Sequence, residues 1–226
     1  MLLERPVISV LKVEKVQAWG FEHAVRGMRN PYDSWSKSDS AFCGVTDCYN
    51  CNGEWTGKPC FVIGTNDLAL MRKLYNAGSE HRKYLRQIMV SMDITAPFYW
   101  WKEFDTYKVG TVANSCSTMH RIAAKEFTLD DFSTEHLIGT SITRLQELID
   151  TLNIYRGLYL KTKDKAYWWQ LIQLLPTSYN QKRTVTMNYE NAVTIIKQRN
   201  GHKLYEWHTL ITELMKLPNL AAIIEK

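Results

Sequence analysis

Apolar and polar residues alternate in "QIMVSMDIT", where Ile88, Val90, Met92 and Ile94 take every second position. That period of two predicts a half-buried strand. "PVISVLKVEKV" near the start and "KRTVTMN" at Lys182–Asn188 have the β-branched content of two more. Elsewhere the helical spacing dominates. "NDLALMRKLYNAGS" puts Leu68, Met71, Leu74 and Tyr75 on one face, with Asn66 placed to cap the helix and Gly78 to end it. "FEHAVRGMRNPYDSW" begins as a helix and stops at Asn30-Pro31, because the proline ring disfavours helical geometry in the residue before it. Pro97 suits the first turn of a helix through Phe104. "TEHLIGTSITRLQELIDTLNIYRGLYL" keeps helical spacing over about seven turns. "KDKAYWWQLIQLL", closed by Pro176, "YENAVTIIKQR", and "YEWHTLITELMKL", ending at Pro218, complete the helices. With no repeat and no linker, this reads as one α+β domain over residues 1–226.

Composition narrows the class. The 226 residues are 45% hydrophobic and 23% charged, as in ordinary globular proteins. No apolar run approaches the ~20 residues of a membrane span, and the N-terminus, with Glu4, lacks a signal-peptide pattern. A cytoplasmic protein is expected, with no membrane partner. The net charge of +5 is dispersed. It suits a small anionic ligand or a merely solvated surface, and it argues against a nucleic-acid stripe. Cys43, Cys48, Cys51 and Cys60 fall in "FCGVTDCYNCNGEWTGKPC", a Cys/Gly-rich loop inserted at about 40–62. The C-x4-C-x2-C-x8-C spacing is irregular for a zinc ribbon. Reduced thiols in a glycine-rich loop and a structural zinc or iron–sulfur site both remain open.

The common nucleotide and hydrolase signatures (GxGxxG, Walker loop, HExxH, GxSxG) do not occur. Polar chemistry is instead spread over "SEHRKYLRQ", "DTYKVGTVANSCSTMHRI" at Asp105–Ile122, and "NYENAVTIIKQRNGHKLYEWH". The second reads as a ligand loop. Gly110, Thr111, Ser115 and Ser117 can donate hydrogen bonds to a phosphate, with Lys108 and Arg121 supplying charge. In the third, the turn "RNGH" brings Arg199, Asn200 and His202 together. Arg199 can grip a phosphate with a forked pair of bonds, or Arg199 and His202 can simply complement the negative end of a helix. Cys116 reads as a small buried cysteine, because no neighbour in sequence would activate it as a nucleophile. The pairs Trp100-Trp101 and Trp168-Trp169 read as core on one side and interface on the other.

Four segments resemble the flavin-dependent thymidylate synthases of the ThyX type. "ITAPFYWWKEFDTYKVGT" is similar to the apolar strand, A-P and helix that lead into that family's R-H-R-x-x-S signature. "LLP" at Leu174–Pro176, then Asn188 and Arg199, resembles its C-terminal half. "RNGHKLYEW" resembles R-x-D-x-H-A-Q-x-E, one residue shorter before the histidine, and "NDLALMRKLYNAGSEH" resembles the helix and turn before a flavin-contacting histidine. The likeness covers roughly residues 66–122 and 174–208.

The resemblance implies a ThyX-like α+β domain, a central mostly antiparallel sheet flanked by helices, and a homotetramer with shared active sites. It also implies reductive methylation of dUMP to dTMP, in which FAD carries hydride from NADPH and methylenetetrahydrofolate supplies the carbon. Carried over by position, His81, Lys108, Asn188 and His202 would contact the cofactor. Glu103, Thr111, Ser117, Arg121 and Arg199 would contact the nucleotide.

The sequence also departs from the family pattern. Aligned without a gap from Ala96-Pro97, R-H-R falls on Thr106, Tyr107 and Lys108, and the two signature serines fall on Thr111 and Cys116. A one-residue insertion matches Asn114 and Ser117 instead. Ile172 stands where an arginine contacts dUMP, and Glu103 stands where a glutamine is usual. A flavin-free nucleotide-binding or assembly homologue, or a related pyrimidine-nucleotide one-carbon transferase, are the alternatives.

Overall fold

A computed structural model describes residues 11–44 and 61–225. In chain order the elements are β1 (Lys12–Trp19), α1 (Phe21–Arg29), a short ribbon of β2 (Ala41–Phe42) with β3 (Phe61–Val62), α2 (Thr65–Asn76), β4 (Met89–Pro97) and α3 (Phe98–Phe104). There follow β5 (Thr111–Ser115), α4 (Thr118–Arg121), α5 (Thr140–Thr162), α6 (Lys165–Gln173), β6 (Asn180–Asn188), α7 (Tyr189–Arg199), α8 (Tyr205–Met215) and α9 (Leu220–Ile224). The fold is α+β, with one antiparallel sheet ordered β1-β4-β6-β5 and helices packed on it.

The alternation expected at 88–94 is borne out. Ile88, Val90, Met92, Ile94 and Ala96 are buried, as are Val185 and Met187 of the neighbouring β6. The opposite face is polar: Thr184 donates to Asp93 Oδ1 at 2.7 Å, and Thr186 Oγ lies 3.1 Å from Ser91 Oγ. The buried face carries the main core, built from α1 and α2 together with Trp100, Trp101, Phe104, Trp207, Leu210 and Leu214. A second cluster, with Phe127, Phe132, Leu145, Ile149, Leu152 and Leu171, lies under α5 and α6.

Several expectations shift. β1 runs on to Trp19 past a bulge between Glu14 and Gln17, where Lys15 takes φ 54°. The long helix begins only at Thr140, because Gly139, at φ 51°, takes a backbone geometry that no helix continues through. Asn66 does not cap α2. Asp39 does, accepting from the backbone N–H groups of Asn66 at 2.8 Å and Asp67 at 3.1 Å. A Cβ on Gly64 would sit 2.2 Å from Asp39 Cγ, so this cap requires glycine there. Residues 105–122 are not one loop, because Thr111–Ser115 forms the edge strand β5 on β6. Four of its five residues are exposed, and a strand without a buried face shows no alternation.

Among the described residues no group of three or more His, Cys, Asp or Glu side chains is placed to hold a metal ion. Cys48, Cys51 and Cys60 lie outside the described residues. Cys43 follows the ribbon in which the rings of Phe42 and Phe61 meet edge to face at 5.2 Å. No helix among the described residues is long and apolar enough to cross a membrane.

Asp67, fully buried, anchors the segment after α1. It accepts from Arg29 Nε at 2.6 Å, from the hydroxyls of Ser38 and Ser40 at 2.6 Å each, and from the N–H groups of Asp39 and Ser40. Burial by itself would raise its pKa, but the hydrogen bonds from Ser38, Ser40 and Arg29 outweigh it and hold the carboxyl below its ordinary value. A depressed folded pKa contributes stability that is present above the unfolded pKa, about 3.9, and is lost as pH falls through the folded one. Replacing Asp67 with Asn strands a buried guanidinium. The expected loss is about 3–5 kcal/mol in urea unfolding at pH 7, with a shallower decline below pH ~4 than in the wild type.

Candidate functional site

The geometry of this region follows from β4 and β6. α3 leaves β4 at Pro97, and α7 leaves β6 at the opposite end and runs back along the sheet, so the C-terminal ends of α3 and α7 meet. There Glu103 accepts from Arg199 Nη1 at 3.1 Å and from the indole N–H of Trp207 at 3.1 Å, and His202 Nε2 stands 3.3 Å away. All three contacts fall on one oxygen, Oε2. Arg199 also donates from Nε to the Tyr107 hydroxyl at 2.9 Å, and its guanidinium lies 4.6 Å above the Trp207 ring. Tyr107 in turn donates to Gln198 Oε1 at 3.1 Å. His202 is oriented by the N–H of Leu204, which donates to Nδ1 at 3.1 Å, leaving Nε2 toward Glu103.

Aromatic packing fixes this corner. Trp100, Phe104 and Trp207 stack or tilt on one another at 4.8–6.3 Å, and all are buried. One turn away Tyr99 donates to the buried Glu206 and lies 2.9 Å from Ser133 Oγ. Burial first, and then the Glu206 carboxylate, push the Tyr99 hydroxyl well above its usual range. It therefore stays a proton donor that ties α3 to α8.

From Tyr107 the chain lies along α7 towards its N-terminus. Asn191 donates to Val109 O at 2.7 Å, and Asn188 caps α7 by accepting from Asn191 N at 3.0 Å. Lys108 is exposed on this turn, and Thr111 begins β5 with its hydroxyl oxygen buried and unpartnered among the described residues. His81 is exposed beside the same end of α7. The next residue, Arg82, forms a bidentate pair with Glu190 of α7, with Nη2 2.7 Å from Oε1. His81 also borders a cavity of about 680 Å³ with Tyr32, Glu80, Lys83 and Arg86.

The residues proposed for a ligand thus fall into three groups. Glu103, Arg199 and His202 touch. His81, Lys108, Asn188 and Thr111 gather near the N-terminus of α7, about 16 Å along that helix. Ser117 and Arg121 lie beyond the other end of β5, about 14 Å from Thr111 at the rise of a strand. Ser117 is spent as the cap of α4, accepting from His120 N at 3.2 Å, while Arg121 is exposed. Cys116 is exposed rather than buried, because it closes an edge strand. Trp100 and Trp101 are both core, where one side was expected at an interface, and Ile172 packs in the second cluster. Sequence reasoning missed Tyr107, Asn191 and Trp207. The only signal for Tyr107 was its place in the middle of the rebuilt signature.

No family model matches the chain, and no curated protein matches it in sequence. Solved structures do. One is the flavin-dependent thymidylate synthase ThyX of Helicobacter pylori complexed with FAD and dUMP, with TM-score 0.67 and 14% identity, over 94% of this chain and 97% of that one. A second structure of the H. pylori enzyme with FAD and dUMP gives TM-score 0.66 and 15% identity, over 95% and 96%. The chain shares their fold. At this identity the likeness shows the fold alone, and the ThyX-type sheet with its helices is in place from end to end.

Gly110 offers a test of the turn. Its φ is 76°, and a Cβ would lie 2.8 Å from Asn191 Oδ1 and 3.0 Å from Asn188 Nδ2, two side chains already engaged along α7. Gly110→Ala should lose about 1–2 kcal/mol from the left-handed backbone alone. It should also raise amide exchange over residues 108–112, which hydrogen-exchange mass spectrometry will read.

Proposed function

We propose that the protein is a divergent flavin-dependent thymidylate synthase-like enzyme of the cytoplasm, methylating dUMP reductively to dTMP with methylenetetrahydrofolate and NADPH as co-substrates. The observation that carries this reading is the near end-to-end likeness of fold to ThyX chains complexed with FAD and dUMP. The residues present are compatible with those groups. The side chains of His81, Lys108 and Arg121 are exposed, and the buried Thr111 hydroxyl lacks a partner among the described residues. In this reading His81, Lys108, Asn188 and His202 hold FAD, which supplies the hydride chemistry when bound. Arg199, Thr111, Ser117 and Arg121 hold the nucleotide, and Glu103 lies beside its phosphate.

α7 runs back along β6 to Arg199, and Ser115 pairs with Arg183, so Arg199 and Ser115 both lie towards the end of the sheet where Pro97 meets Asn180. A homotetramer with shared active sites belongs to the same reading. A second reading, a flavin-free nucleotide-binding or assembly homologue, is favoured by the missing R-H-R, whose positions carry Thr106, Tyr107 and Lys108.

The absorption spectrum between 300 and 550 nm, taken after FAD loading and gel filtration, separates the two. Retained flavin bands with dUMP-dependent NADPH oxidation support the enzyme, and a colourless protein supports the flavin-free homologue. Arg199→Ala should weaken dUMP binding by about 1.5–3 kcal/mol, the value of a hydrogen bond to a charged group. The same change leaves Glu103 without its counter-charge, which acts in the same direction. Calorimetric titration will measure the loss.

A further inference from the structure

The corner between α3 and α7 is built around a single oxygen. Arg199 Nη1, the Trp207 indole nitrogen and His202 Nε2 lie 3.1, 3.1 and 3.3 Å from Glu103 Oε2. A charged donor, an indole N–H and an imidazole converging on one point are the partners that an oxyanion requires. The donors do not depend on Glu103 for their positions. Arg199 is held by Tyr107 through Nε and by stacking on Trp207, Trp207 is fully buried among aromatic rings, and His202 is fixed by Leu204 N. Glu103 is the most exposed of the four. It sits one residue before the end of α3, and its side chain is 36% exposed against 19% for Arg199.

Removal of that carboxylate without replacement would strand the N–H of a fully buried indole and unpair a guanidinium, both unfavourable. Glu103 therefore leaves only in exchange for another acceptor oxygen bearing negative charge. A neutral ligand gains nothing by displacing it.

We infer that Arg199, Trp207 and His202 form an oxyanion seat that Glu103 fills from within the chain, so that Glu103 is the specificity-determining residue of this site. The ligand class is a small phosphate monoester, whose oxygen replaces Glu103 Oε2. Recognition then includes the work of ejecting a carboxylate of the same charge, and weak phosphate ligands are turned away. The inference takes the nucleotide from the proposed function, but the seat itself rests on geometry alone.

The experiment is a calorimetric titration of the wild type, Glu103→Gln and the double variant Glu103→Gln/Arg199→Ala, using inorganic phosphate and, separately, dUMP. Glutamine keeps an acceptor for Trp207 and removes the competing charge. Glu103→Gln should bind phosphate about tenfold or more tightly than the wild type, and the double variant should lose that gain. Equal or weaker binding by Glu103→Gln overturns the inference, as does a gain that survives loss of Arg199. A gain for phosphate with no binding of dUMP by any variant upholds the seat and removes the nucleotide reading. Should Glu103→Gln fail to fold, the wild-type Trp207 indole N–H resonance decides. It should stay in place on phosphate addition, and a shift that saturates below about 1 mM phosphate shows the seat open and overturns the inference.

Discussion

The antiparallel pairing of β4 with β6, from Met89 opposite Asn188 to Pro97 opposite Asn180, is the constraint on which the rest depends. Antiparallel strands place the helices that follow them at opposite ends. α3 starts beside Asn180 and α7 beside Met89, and α7 returns along the sheet until Arg199 reaches Glu103. A slip of β6 by one residue in this register would turn Val185 and Met187 to the polar face, away from Val90, Met92 and Ile94. The apolar pattern therefore fixes the register, and the register fixes which polar side chains can meet.

Aromatic packing then makes the meeting point rigid. Trp100, Phe104 and Trp207 form one buried stack between α3 and α8, and Trp101 donates to Gln181 O at 2.9 Å while Arg183 lies 4.2 Å over its ring. Large flat side chains bury much surface with few rotatable bonds, so they hold polar neighbours at low entropic cost. The rings of Tyr107 and Trp207, which meet edge to face at 6.0 Å, together hold the Arg199 guanidinium, at 5.5 and 4.6 Å. The cation is positioned by rings, and its partner, Glu103, is left on the open side.

This division explains how a chain with 14–15% identity to ThyX structures shares their fold while differing at the resembled signature. Packing requires apolar volume at the right period, which many sequences satisfy. A site requires particular donors at particular points, and here those points carry Thr106, Tyr107 and Glu103 in place of two arginine/histidine positions and a glutamine of the resembled pattern. Glu103 changes charge at nearly the volume of glutamine, and Thr106 is exposed, so these two changes bear on the ligand and leave the core alone.

What the sequence determined by itself is what periodicity encodes: β4 from its alternation, α2 and α7 from their apolar faces, the stop of α1 before Pro31, and one side of the Trp100-Trp101 pair as core. The resemblance also named Glu103 and Arg199 for the nucleotide and His202 for the cofactor, without showing that the three meet at one oxygen. What only tertiary structure decided is whatever joins residues far apart in the chain. β5 carries no alternation because an edge strand buries neither face. Asp39 caps α2 from 26 positions away. Glu103 reaches Arg199 across a separation of 96 residues. The physical reason is common to all three. Hydrophobic burial depends on period and can be read locally, whereas a hydrogen bond or ion pair depends on two groups arriving at the same point, and only the folded sheet brings them there.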